Sequence, residues 1–141
     1  MQKIVYSLIV VLLLAGCAVK NAVAKKYNLP TTIAYSNGFA KFMEEFNIET
    51  QGLTSLDDYV PSNTMKKEFE IVVMPDGQVG VKGFIQVIPS IFDAYTFEHL
   101  DGYLTYYDEG IYEYKIPVKN IRQMLDVKGL VQVDIPQKRL Q

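Results

Sequence analysis

From residue 69 onward the chain is cut every few residues by groups that stop regular structure. This punctuation limits its possible folds more than any other feature. Pro75-Asp76-Gly77, Pro89-Ser90, Asp101-Gly102, Asp108-Glu109-Gly110, Pro117, Gly129 and Pro136 do the cutting. Proline fixes φ and glycine reaches positive φ at little cost, so each group ends an element or turns the chain. The intervening runs have the length of strands or short helices. Residues 69–74 are β-rich, and residues 78–88 read as a second strand weakened or bulged at Gly80 and Gly83. Residues 103–107 are aromatic and strand-like. Along residues 111–116, Tyr112, Tyr114 and Ile116 share one face while Glu113 and Lys115 share the other. Residues 130–135 form a last strand with Val131, Val133 and Ile135 inward. Ser90 is placed to cap a helix over residues 91–100 that turns Phe92, Tyr95 and Leu100 inward. Pro117 opens a helix striped by Val118, Ile121, Met124 and Leu125.

From Val79 the order is strand, helix, strand, strand, helix, strand. That order predicts an α+β fold of the ferredoxin-like βαββαβ kind, an antiparallel sheet with two helices on one face. Residues 69–74 add an N-terminal hairpin strand. A sandwich of residues 79–135 alone buries little core. A preceding helix, with Phe39, Phe42, Met43 and Phe46 at i, i+3, i+4, i+7 and Ser36 or Asn37 as cap, is expected to supply cover. Residues 51–64, with Gly52, Asp57-Asp58, Pro61 and Asn63, read as a loop.

The start of the chain belongs to a different problem. Lys3 precedes an uncharged run from Ile4 to Leu14, too short to span a bilayer, and Leu14-Ala15-Gly16-Cys17 follows at once. These four residues resemble the lipobox of bacterial lipoproteins. The resemblance implies a signal peptide over residues 1–16, cleavage before Cys17, and lipid on the Cys17 sulfur that holds the protein on a membrane of the cell envelope. Ala18 follows the cysteine in place of an acidic residue, which by analogy with enteric lipoproteins points to the outer membrane over the inner. Residues 17–30 are expected to form a lipid-anchored tether, residues 31–66 a helix-and-loop extension, and residues 67–141 the α+β domain. Cys17 is the single cysteine of the 141 residues, so no internal disulfide forms.

Loss of Lys3 with the leader leaves 13 basic against 16 acidic side chains. No basic patch suggests nucleic acid; Lys20, Lys25 and Lys26 sit close to the anchor. No catalytic set is legible. His99 is the single histidine, and its neighbour Glu98 points elsewhere on a helix. Asp57-Asp58 lacks a spaced third ligand and reads as a solvated turn. No phosphate loop or zinc spacing is present, so neither metal nor cofactor is expected. Tyr103, Tyr106, Tyr107, Tyr112 and Tyr114 crowd one hairpin, where cross-strand packing is the first use of tyrosine and partner binding the second.

One further likeness concerns the last third. Ile116-Pro117, a helix with Ile121 and Leu125, Val127-Lys128-Gly129-Leu130 and Val133-Asp134 together resemble the end of subtilisin-type propeptides, the inhibitor I9-like domains. Residues 79–107 share only element order with that family. The resemblance implies a domain whose sheet packs on a subtilisin-like protease and whose tail enters the substrate cleft as an extended strand. Gln137, Lys138, Arg139, Leu140 and Gln141 would be that tail. No protease follows, so inhibition or folding assistance would act in trans. A different class of function also fits the sequence: a non-enzymatic accessory lipoprotein that holds another envelope protein through its tyrosine-rich sheet.

Overall fold

The computed structural model describes residues 20–138. The expectations for the signal peptide, for Cys17 and for Arg139, Leu140 and Gln141 fall outside those residues. The elements in chain order are α1 (Lys20–Tyr27), β1 (Ala34–Tyr35), α2 (Asn37–Thr50), α3 (Asn63–Glu68), β2 (Ile71–Val73), β3 (Val79–Val87), α4 (Ala94–His99), β4 (Tyr103–Asp108), β5 (Ile111–Pro117), α5 (Ile121–Met124) and β6 (Leu130–Asp134). The described residues thus form an α+β fold with one six-stranded sheet and five helices.

The sheet runs β1-β6-β3-β5-β4, with β2 also paired to β3. β3 is the long central strand. One of its edges pairs with β5 along nearly its whole length. The other edge is shared: residues 79–81 face β2 and residues 84–87 face β6. Every pairing is antiparallel except β1 with β6. Alternation then sorts the side chains. Val81 and Ile85 of β3, Tyr114 and Ile116 of β5, and Val133 of β6 turn to one face and are buried there.

That face carries the core. From α2, Phe39, Phe42 and Met43 are buried against it, in one cluster with Phe97 of α4 and Ile121 and Met124 of α5. Burying each large apolar side chain contributes roughly 1.5–3 kcal/mol. Phe39 stacks on Tyr35 at 4.9 Å, and Phe42 meets Phe69 edge-on at 5.3 Å. The Phe and Met stripe expected of residues 39–46 is therefore core, and α2 does supply the cover that a small sandwich lacks.

Several local expectations are corrected. The tether expected over residues 17–30 does not extend through its described part: Lys20–Tyr27 is helical, and Val23, Ala24, Tyr27 and Leu29 are buried in the same core. Residues 31–66 are likewise no separate extension, because β1 joins the sheet and Tyr35 and Met65 are fully buried. The end of the expected loop 51–64 starts helix α3, capped by Ser62. The helix expected from Ser90 begins instead at Asp93, whose carboxylate accepts from Thr96 N at 3.0 Å. The segment between β3 and this helix is held by the loop before β6, through Ile88 N to Gly129 O (2.8 Å) and Asp93 N to Lys128 O (3.1 Å). A register shift at Gln86 and Val87 puts Leu130 opposite Val87 and leaves Val131 half-buried.

Candidate functional site

The second face of the sheet is built by the intervening residues. Lys82, Phe84 and Gln86 of β3 lie beside Glu113 and Lys115 of β5, and these beside Tyr103 and Thr105 of β4. These residues are half-buried or exposed, whereas Ile111, Gln132 and Asp134, on the same face, are buried. Phe84 meets Tyr107 edge-on at 5.7 Å, so part of the apolar surface of the face is aromatic. Lys82 pairs with Glu113 at 3.6 Å. Lys115 stands directly across from Lys82 and makes no ion pair among the described residues. Towards the β2–β3 turn the face sinks into a hollow of about 330 Å³ lined by Val72, Met74, Pro75, Tyr103, Glu113 and Lys115. Met74 fills the place a side chain at Gly80 would take, its Cγ 2.9 Å from where a Cβ would stand. The result is a mixed aromatic and charged surface.

The expected tail begins at the opposite side of this sheet. Gln137 bridges to Phe69 in antiparallel fashion, Lys138 N donates to Glu68 O at 2.6 Å, and Lys138 Nζ donates to Lys66 O at 3.1 Å. The first two tail residues are thus tied to the segment joining α3 and β2. Nearby, the carboxyls of Glu45 on α2 and Glu68 on α3 face each other. Each keeps one buried oxygen without a donor. Burial first, and the Glu68 charge and hydrogen bond second, raise the proton affinity of Glu45, with Lys41 opposing at 3.6 Å. A proton bound between the two carboxyls would satisfy both oxygens.

Two other carboxylates serve helix ends. Ser36 caps α2 by accepting from Phe39 N at 3.0 Å, and its hydroxyl donates to the Asp134 carboxylate. Ser62 caps α3 by accepting from Met65 N at 3.1 Å, and its hydroxyl donates to Glu49, which also accepts from Tyr59 Oη at 2.9 Å. Burial raises the pKa of Asp134 despite the Ser36 bond. These acids hold elements in place.

The remaining sequence candidates are dispersed. Asp57 lies in a 3₁₀ turn, Leu56–Asp58, and its pairing with Lys119 at 3.0 Å keeps its carboxyl below the usual range. His99 Nδ1 lies 2.9 Å from Tyr95 O at the end of α4, remote in role from Glu98. The hairpin tyrosines divide: Tyr114 is buried, with its hydroxyl on Asp134 O at 3.1 Å, Tyr106 and Tyr112 meet edge-on at 6.0 Å on the helix side, and Tyr103 and Tyr107 belong to the second face. Sequence reasoning passed over Phe84 and Lys82, though their alternation with Val81 and Ile85 was visible. Among the described residues no three His, Cys, Asp or Glu side chains converge as a metal site. No described helix is long and apolar enough to cross a membrane. Compared with known proteins, the chain matches no family model, no curated protein and no solved structure.

Proposed function

We propose that this protein is a non-enzymatic envelope lipoprotein, anchored by lipid on Cys17, that binds a protein partner through the exposed part of the second face of its sheet, around Tyr103 and Lys115. The observation that carries this reading is the face itself. It places Phe84, Tyr103 and Tyr107 among Lys82, Glu113 and Lys115, beside a hollow, while the other face buries the core. Aromatic anchors within a polar surround are what protein interfaces enrich. A photo-crosslinking amino acid at Tyr103 or Lys115 tests it in the native envelope, with Lys41 on α2 as the control position. A defined protein adduct from the two face positions and none from Lys41 supports the reading; equal labelling at all three sinks it.

A more specific partner is favoured by one feature. The order β6-β3-β5-β4, each neighbour antiparallel, supports a ferredoxin-like core over residues 79–134, and with it the likeness to subtilisin-type propeptides. On this second reading the partner is a subtilisin-like protease, restrained or helped to fold in trans. The hold on Gln137 and Lys138 weighs against a free cleft-binding tail and leaves the sheet face as the main contact. A panel of such proteases, assayed with residues 18–141 and with the same domain lacking residues 137–141, decides between the readings. Inhibition by either form supports the protease partner. No inhibition and no complex with any protease leaves the accessory role alone.

A further inference from the structure

Tether length has a consequence for orientation. α1 starts at Lys20, three residues beyond Cys17. A fully extended chain covers at most about 3.5 Å per residue, so the start of α1 lies within roughly 10 Å of the Cys17 backbone. α1 is not a loose appendage. Val23, Ala24 and Tyr27 are buried, Arg122 Nη1 donates to Tyr27 O at 2.8 Å, and Tyr35 Oη donates to Pro30 O at 2.7 Å. The helix therefore rests on β1 and α5, at one extreme of the sheet. β4 is the opposite extreme. Four strand spacings of about 4.8 Å separate β4 from β1, roughly 19 Å in all.

We propose that the α1–β1 side of the body sits directly on the lipid surface, so that the β4 edge is presented outward. The inference rests on Cys17 being lipidated. A lipid on Cys17 pulls the α1 side to the head groups, since only Ala18 and Val19 lie between Cys17 and α1. Lys25 and Lys26 are exposed on that helix and suit anionic head groups. Tyr103 and Tyr106, each more than half exposed at the far edge, are then displayed away from the bilayer.

The test uses the full lipidated chain in vesicles of phosphatidylethanolamine and phosphatidylglycerol, with a spin label at Ala22→Cys on α1 or at Thr105→Cys on β4. Both positions are exposed. A paramagnetic nickel chelate carried on a lipid head group reports closeness to the surface. Relaxation several-fold stronger at position 22 than at 105 is expected. A long Gly/Ser insert between Val19 and Lys20 should erase that contrast. Equal relaxation in the parent chain, or stronger relaxation at 105, overturns the proposed orientation while leaving lipidation intact. Failure of the lipoprotein reading looks different: no incorporation of labelled palmitate, and Cys17→Ser unchanged in its membrane fractionation, which overturns both.

Discussion

Gly83 sits where β3 changes partner from β2 to β6. A Cβ there would run into the Asp134 carbonyl and stand 2.7 Å from the Tyr114 hydroxyl, which crosses this gap to bond that same carbonyl. Space, not backbone freedom, requires the glycine. Gly83→Ala should cost about 1–3 kcal/mol by overpacking, read as a lower midpoint in thermal unfolding. Tyr114→Phe alone should cost about 1 kcal/mol, the worth of one hydrogen bond. Because the two changes act on one contact, the double variant should lose less than their sum; strict additivity would refute the shared gap. The Glu45 and Glu68 pair makes a second prediction at this scale. Glu45 holds its proton more tightly in the folded chain than at its ordinary value of 4.5. Folding therefore takes up a proton at this group, so its contribution to stability is fully present below about 4.5 and is lost as pH climbs through the raised folded value. Glu45→Gln removes one charge, and its amide can donate to Glu68. The variant should melt higher than the parent at pH 7 and show a flatter dependence of midpoint on pH. An unchanged slope would mean the carboxyls do not share a proton.

The elements differ in how far the sequence betrays them. β3, β4, β5 and β6 carry their own alternation and turn residues, so their existence and order were legible. β1 was not, because its two residues, Ala34 and Tyr35, acquire strand geometry only by lying parallel to β6. α1 was not, because Val23, Ala24 and Tyr27 provide too few repeats for a period, and its lysines mimic a solvated linker. α3 was missed since its signal is one capping serine, Ser62, with Met65 as its single buried residue. The second face could be read as alternation but not as a site, since nothing in a strand pattern tells which face helices will pack on. The tail is an element-scale case as well. Gln137 and Lys138 add backbone bonds to the stretch before β2. Deleting residues 137–141 should lower stability by about 1–2 kcal/mol through those lost bonds, with the far-UV circular dichroism of the folded state unchanged. A deletion with no effect on the urea midpoint would show the tail to be free in solution.

At the scale of the molecule, the point that reorganises everything else is that the chain becomes core almost as soon as the expected anchor ends. A domain hung on a spacer and a domain seated at the lipid differ in one accessible property, the tolerance of residues 22–29 to charge. Ala24 is 1% exposed among the core side chains, whereas Ala22, two residues earlier, is exposed. In a spacer the two positions are equivalent. In a packed helix, Ala24→Asp forces a carboxylate into the buried surroundings of Ala24. The cost should be about 3 kcal/mol or more, enough to unfold a marginal domain. Ala22→Asp should change stability by no more than about 0.5 kcal/mol, as exposed substitutions do. Urea unfolding of residues 18–141 carrying each change measures the difference directly. A large loss confined to position 24 establishes α1 as part of the body and fixes how short the connection to Cys17 is. Equal, small effects at both positions would return residues 17–30 to the role of a tether, and the body would then be free to turn above the membrane.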